Sequence, residues 1–169
     1  MEKHIRTPRT RIDQAELRHY FLSHLNRIFC AKNELVDKLP ELATRSYFLD
    51  LRQAINETIE IVSLQITRMK TIYVTMDAFY QPESCVGLIG ILDEAFQAIG
   101  LPEDSPAIRD LSVLFYMQNI ESIEAASFKT MLLVAHKLNQ PEVVQLILEC
   151  YDEAREDKVL FKEIMQKYL

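Results

Sequence analysis

The chain has 169 residues, a length that suits one domain with a substantial apolar core. It contains only three glycines and six prolines among many helix-forming residues, so the composition favours an all-helical protein. The formal net charge of -6 argues against non-specific nucleic-acid binding, and no stretch approaches the ~20 apolar residues that a membrane helix needs.

The number and spacing of the cysteines indicate the redox environment of the protein. Cys30, Cys85 and Cys150 are odd in number and widely spaced, and they form no CxxC pair. The pattern predicts reduced, mostly buried thiols in a cytoplasmic protein rather than disulfides or a zinc site. The basic N-terminus lacks the apolar run of a secretory signal. We expect residues 1–13 to form a flexible tail and residues 14–169 to form the folded domain.

The chain begins with two segments of strong helical periodicity. The first predicted helix starts near Asp13, an N-cap with Glu16 three residues further on. Pro40 is expected to end or bend this helix, or to be followed by one further turn through Ala43, because proline cannot donate the backbone hydrogen bond. A second long helix is predicted from about Tyr47 to Asp77.

The second half of the chain repeats this arrangement after a short apolar helix, Val86 to Ile99, which ends at Gly100. A third long helix is predicted from Pro106 to about His136, and a last one from Pro141 to about Tyr168. The short helix fits a crossover better than a bundle member. Two long hairpins joined by a crossover predict an all-α fold, a ferritin-like four-helix bundle with a short crossover helix.

Charged residues interrupt the apolar stripes of three of these helices. Glu121 and Glu124 lie in the stripe of the third long helix, and Glu153 and Asp157 lie in that of the last. Lys32 falls in the inner face of the first helix. A buried acid needs a metal, a cation, a shared proton or a hydrogen-bond donor, and a core lysine is uncommon unless it is paired.

The order and spacing of these features resemble the YciE/YciF ferritin-like family across nearly all of residues 17–165. The matching segments are IFCAKNELVDKLPELA, LRQAINETIE, Cys85-x4-Gly90-x3-Glu94, Asp110, Gln118, Glu121-Ser-Ile-Glu124-Ala-Ala-Ser, and Asp152-Glu153 followed by Asp157 and Leu160. The resemblance implies the fold of di-iron carboxylate proteins, a link with bacterial stress responses, and a homodimer.

The resemblance also implies the place of a di-metal site, where this chain departs from the family pattern. Members usually carry Glu at the position of Lys32, His at Thr58, Thr at Val62 and His at Ser122. The predicted pseudo-site consists of Lys32, Thr58 and Ser122. The acids that persist are possible remnant ligands for iron or manganese, namely Glu121, Glu124, Glu153 and Asp157.

Three interpretations of these acids follow. In the first, they form a working di-metal site that oxidises Fe(II), although such a site needs roughly four carboxylates and two imidazoles from all four helices. In the second, the Lys32 ammonium pairs with Glu121, Glu124 or Glu153 in a metal-free or single-metal pseudo-site. In the third, the acids face solvent or a groove between helices, and Glu124 is the first candidate because it lies off the centre of its stripe.

We favour the second interpretation. It predicts a non-catalytic or catalytically degenerate, stress-associated protein with no cofactor, no nucleic-acid partner and no membrane partner, acting in the cytoplasm as a homodimer. The crossover sequence VGLIGILDEAF supports a partner because it is too apolar to be left wholly exposed. The alternative is a di-iron or di-manganese carboxylate oxidase. No catalytic or cofactor-binding residue is predicted.

Overall fold

The computed structural model describes residues 11–100 and 105–169, which form five helices and no β-strand. The helices are α1 (Gln14–Arg45), α2 (Leu49–Thr75), α3 (Val86–Gly100), α4 (Pro106–Lys137) and α5 (Pro141–Tyr168). The pairs α1–α2 and α4–α5 form two hairpins, and α3 lies against α4 and α1. The prediction of a ferritin-like bundle with a crossover helix is confirmed. None of the described helices is both long and apolar enough to cross a bilayer.

Local capping fixes where two of the helices begin. The Asp13 side chain accepts a hydrogen bond from the Glu16 backbone, and the Glu16 side chain accepts one from the Asp13 backbone, both at 2.9 Å. Ser105 caps α4 by accepting from the Ile108 backbone, with Pro106 in the first turn. The predicted tail over residues 1–13 falls mostly outside the described residues.

Pro40 does not end α1, which continues to Arg45. The expectation that the helix ends at Pro40 is therefore wrong. Leu39, Leu42 and Ala43 are all buried, so the last turn adds apolar side chains to the core. Their burial offsets the backbone hydrogen bond that proline cannot make.

The core lies between the four long helices, each of which buries one stripe of apolar side chains, and α3 adds its own buried residues to it. Its largest fully buried members are Phe21, Leu25, Leu39, Leu42, Leu51, Ile55, Met69, Ile72, Leu92, Phe128 and Phe161. This apolar surround is the environment in which any buried charge of the bundle must be stabilised.

The cysteine prediction is wrong for two of the three residues. Cys30 of α1 and Cys85, just before α3, form a disulfide, whereas Cys150 is a buried free thiol. The cause is tertiary: the crossover returns alongside α1 and brings the two Cα atoms to 6.2 Å across 55 residues of sequence. Cysteine usage therefore no longer supports the expected cytoplasmic location.

Candidate functional site

An ion pair between α1 and α4 lies inside the bundle. The side chains of Lys32 and Glu124 form a salt bridge and are 1% and 0% exposed. Lys32 reaches the interior because it continues the helical spacing of Ile28 and Leu35, which are both buried. Its ammonium nitrogen also lies 5.7 Å from the centre of the Phe128 ring.

Glu124 is therefore not the solvent-facing acid that its position in the stripe predicts. It is among the most deeply buried acids of the described residues, and it is the direct partner of Lys32. The physical reason is that α4 packs against α1, α3 and α5 at once. Three neighbours cover a wider arc of the helix than the single apolar stripe that the sequence shows.

The interior changes the pKa values of Lys32 and of the neighbouring Glu121. Burial disfavours the Lys32 ammonium, but the charge and hydrogen bond of Glu124 oppose burial, and the pKa of Lys32 is raised above its ordinary value. Burial raises the pKa of Glu121 well above its ordinary value, and the adjacent Glu124 carboxylate raises it further. Lys32 is therefore charged, and of the two glutamates Glu121 is the one whose own protonated form is favoured.

The hydrogen bonding of the two glutamates agrees with this assignment. Glu121 and Glu124 each have one buried carboxyl oxygen with no hydrogen-bond partner among the described protein atoms. A proton on Glu121 supplies a hydrogen-bond donor that a carboxylate lacks. One ammonium then faces one carboxylate and one neutral acid, so the charges of Lys32, Glu121 and Glu124 balance.

A second polar contact links the remaining two long helices at this level. The Thr58 hydroxyl of α2 donates to the Asp157 carboxylate of α5 at 3.1 Å, and both residues are buried. Burial raises the pKa of Asp157 to about 6, although the Thr58 hydrogen bond and the Lys32 charge oppose that rise. We refer to five residues as the core polar cluster: Lys32, Thr58, Glu121, Glu124 and Asp157.

Glu153 lies outside the core polar cluster, in an ion pair at the edge of the bundle. Arg68 of α2 binds it at 2.9 Å, and the Gln65 amide donates to it at 3.1 Å. Arg68 also binds Glu149 at 2.8 Å. Glu153 therefore has its own cation and does not receive the Lys32 ammonium.

Ser122 does not join the core polar cluster either. Its hydroxyl donates to the Gln118 backbone carbonyl one turn earlier in α4, at 2.6 Å. This local bond uses the donor of the side chain within its own helix. Of the three predicted pseudo-site residues, the structure thus brings Lys32 and Thr58 to the buried acids and leaves Ser122 apart.

Comparison with known proteins places this geometry in a family. A family described as a domain of unknown function, DUF892, matches residues 16–169. The chain belongs to the DUF892 family. This DUF892 member is 25% identical to protein YciF of Escherichia coli over 136 residues, which cover 80% of this chain and 81% of that protein. The resemblance to the YciE/YciF family is confirmed.

Solved structures support the fold of this DUF892 member. The E. coli stress protein YciF matches with a TM-score of 0.85 at 22% identity, covering 90% of this chain and 96% of that one. A second match is YcfI of Rhodopseudomonas palustris, with a TM-score of 0.81 at 18% identity and coverage of 92% and 97%. At these identities the matches show a shared fold.

The core polar cluster does not fit a two-metal centre. Across residues 11–100 and 105–169, no group of three or more histidine, cysteine, aspartate or glutamate side chains is placed to hold a metal ion. A di-metal bundle takes acid and imidazole ligands from all four helices. In this DUF892 member α1 supplies the Lys32 ammonium and α2 supplies the Thr58 hydroxyl. His4 lies outside the described residues, and His19 and His136 are exposed.

Sequence reasoning missed the two residues of this DUF892 member whose side chains bind Glu153. Gln65 is buried, and Arg68 provides the cation for Glu153. A signal for Gln65 was present, because it lies seven residues after Thr58 on the same face of α2. Arg68 carried no comparable signal, since a basic residue beside an apolar stripe is typical of any surface helix.

Proposed function

We propose that this protein is a non-catalytic, stress-associated structural member of the DUF892 family, and that Lys32 takes the place of metal in its bundle. The observation that carries the proposal is the buried salt bridge between Lys32 and Glu124. An ammonium bound to a carboxylate uses the negative charge that a cation would otherwise need. In this proposal the protein needs no cofactor and acts in the cytoplasm as a homodimer.

Charge balance is the main physical support. Two unprotonated glutamates one turn apart in a dry interior would repel each other strongly. In this chain Lys32 offsets one charge, and the raised pKa of Glu121 removes the other. The charges of Lys32, Glu121 and Glu124 are thus balanced by the chain's own groups. A divalent ion would have to displace the ammonium before it could bind Glu124.

The stress-associated role in the proposal rests on likeness. The E. coli relative is named a stress protein, and the fold is shared across nearly the whole of both chains. The homodimer is supported by apolar side chains left exposed on α3 and α4, of which Val86 and Phe115 are 72% and 56% exposed. Light scattering on the purified chain should give twice the monomer mass, and a monomer would contradict this part of the proposal.

The alternative is a di-iron or di-manganese carboxylate oxidase, which keeps one observation in its favour. Glu121, Glu124 and Asp157 are all buried in the bundle, and the Glu124 charge adds to the burial that raises the pKa of Glu121 and of Asp157. Metal content separates the two functions. After expression with added iron or manganese, we expect mass spectrometry to find no stoichiometric metal, whereas two ions per chain would overturn the proposal.

A matched variant makes a negative result informative. Lys32→Glu combined with Thr58→His restores an acid on α1 and an imidazole on α2, so all four long helices then carry potential ligands. We expect this variant to gain iron or manganese and to show a metal-dependent rise in melting temperature. If the wild type and the double variant bind equally, Lys32 is not what excludes metal.

A further inference from the structure

The Cys30–Cys85 disulfide joins two elements that are otherwise weakly connected. Cys30 lies in the middle of α1, and Cys85 immediately precedes the crossover helix α3. Their Cα atoms are 6.2 Å apart, within the range that a disulfide spans without displacing the backbone. The bond can therefore form and open while the fold stays in place.

The first half of α3 is less deeply buried than the second half. Val86 is largely exposed, and Gly87 and Gly90 weaken the opening turns because glycine has a low helix propensity. The buried residues of α3 begin near its middle, namely Leu92, Ala95 and Ile99, whereas Leu88 and Ile91 are partly buried against the core. The disulfide to α1 therefore adds a covalent link where the packing of α3 is weakest.

Further polar contacts join α1 to the loop that precedes α3. Glu83 accepts hydrogen bonds from Ser23 at 2.9 Å and from Arg27 at 3.0 Å. The Gln81 backbone donates to Asn26 at 3.3 Å. Exposed ion pairs of this kind contribute little to stability. The disulfide is thus the strongest described link between α1 and the start of α3.

A groove of about 790 Å³ opens beside Cys85, between α1, α4 and the start of α3. Arg27 lies in its wall, together with apolar side chains such as Leu88 and Met131. The groove offers a small reagent a path to the Cys85 sulfur. The N-terminal end of α3 favours a thiolate at Cys85 once the bond is open.

We propose that Cys30 and Cys85 form a reversible redox site, oxidised by a hydroperoxide and reduced by a dithiol, whose state sets how firmly α3 is held. In oxidation, the Cys85 thiolate attacks a peroxide oxygen, the O–O bond breaks, and a sulfenic acid and one water form. The Cys30 thiolate then attacks that sulfur, the S–S bond forms, and a second water leaves. The two thiols lose two electrons and two protons, which hydrogen peroxide accepts.

Reduction reverses the bond by thiol–disulfide exchange. A dithiol attacks one sulfur, and its second thiol then closes a new disulfide, leaving Cys30 and Cys85 as thiols. Cys150 takes no part, because it is fully buried and burial raises the pKa of its thiol to about 12. It is therefore the natural internal control, and the site stands apart from the core polar cluster.

The chemistry is tested by differential alkylation and mass spectrometry of the native protein. After hydrogen peroxide treatment we expect Cys30 and Cys85 to resist alkylation, and after native dithiothreitol treatment we expect both to react. The Cys150→Ala variant should behave as wild type. The inference is overturned if peroxide leaves both thiols reactive. It is also overturned if dithiothreitol opens the bond only in denaturant, which would mark a static bond.

The structural consequence is tested by amide hydrogen exchange in the two redox states. We expect reduction to speed exchange in residues 86–91 roughly tenfold or more, while the α4–α5 hairpin stays unchanged. The Cys85→Ser variant should match reduced wild type whatever the oxidant. Equal exchange of the first half of α3 in both states would show that the bond does not hold it, and would refute this part of the inference.

Discussion

Replacing Lys32 by methionine tests the central ion pair directly. Methionine keeps an unbranched stem of similar volume, so the change removes the charge without leaving a large cavity. Glu124 is then stranded in the interior, with its carboxylate 0% exposed. Breaking a buried pair in this way typically costs about 3–5 kcal/mol.

The expected loss is large enough to measure by two methods. In a chain of 169 residues, each kcal/mol lowers the melting temperature by about 2–4 °C, so the midpoint should fall by roughly 6–20 °C. Urea denaturation followed by circular dichroism at neutral pH gives the free energy of unfolding independently. The two values should agree in size if unfolding is two-state.

Two variants control this experiment. Lys38→Met removes a cation from the same helix, but Lys38 pairs with Asp93 near the surface at 2.7 Å, so its loss should cost no more than about 1 kcal/mol. Lys32→Met combined with Glu124→Leu should regain much of the stability, because no unpaired charge stays buried. Equal losses for Lys32→Met and Lys38→Met, or a double variant less stable than the single one, would refute the reasoning.

Three further predictions concern other described contacts. Burial raises the pKa of Asp157 from 3.8 to about 6, so the protonated side chain contributes about 3 kcal/mol of stability at low pH, and this contribution is lost as the pH rises from 3.8 through about 6. In Asp157→Asn, the unfolding free energy measured in urea should vary less over that pH range. Asp110→Ala removes the acceptor of the Phe48 backbone N–H, 2.5 Å away at the start of α2, and should cost about 1–3 kcal/mol by thermal unfolding. Reducing the Cys30–Cys85 disulfide should lower unfolding free energy by about 2–4 kcal/mol, measured in urea with and without dithiothreitol.

The helices of this protein were predictable because each carries a regular apolar stripe and a local stop or start signal. The capping box at Asp13 and the proline at Pro106 mark helix starts without any tertiary information. Lys32 was predictable as an inward residue for the same reason, since its register follows from its apolar neighbours. Such features depend only on residues within a few turns of one another.

The partners of these residues could not be predicted in the same way. Which acid meets Lys32 depends on how far α4 is rotated about its axis, and that rotation is set by packing against three other helices. The sequence placed Glu124 at the edge of the stripe, yet it is Glu124 that binds the ammonium. Likewise, the closeness of Cys30 and Cys85 follows from the path of the crossover, which no local pattern records.

Burial and the Lys32 charge act in opposite directions on the acids of the core polar cluster. The Lys32 ammonium forms a salt bridge with Glu124, and the Glu124 charge adds to the burial that raises the pKa of Glu121. The pKa of Asp157 depends on both effects, because the Lys32 charge opposes the increase in pKa that burial causes. Removing Lys32 should therefore raise the pKa of Asp157 beyond about 6, and carboxyl titration by NMR would show this shift. An Asp157 titration unchanged in Lys32→Met would mean that the acids are neutralised independently of the lysine.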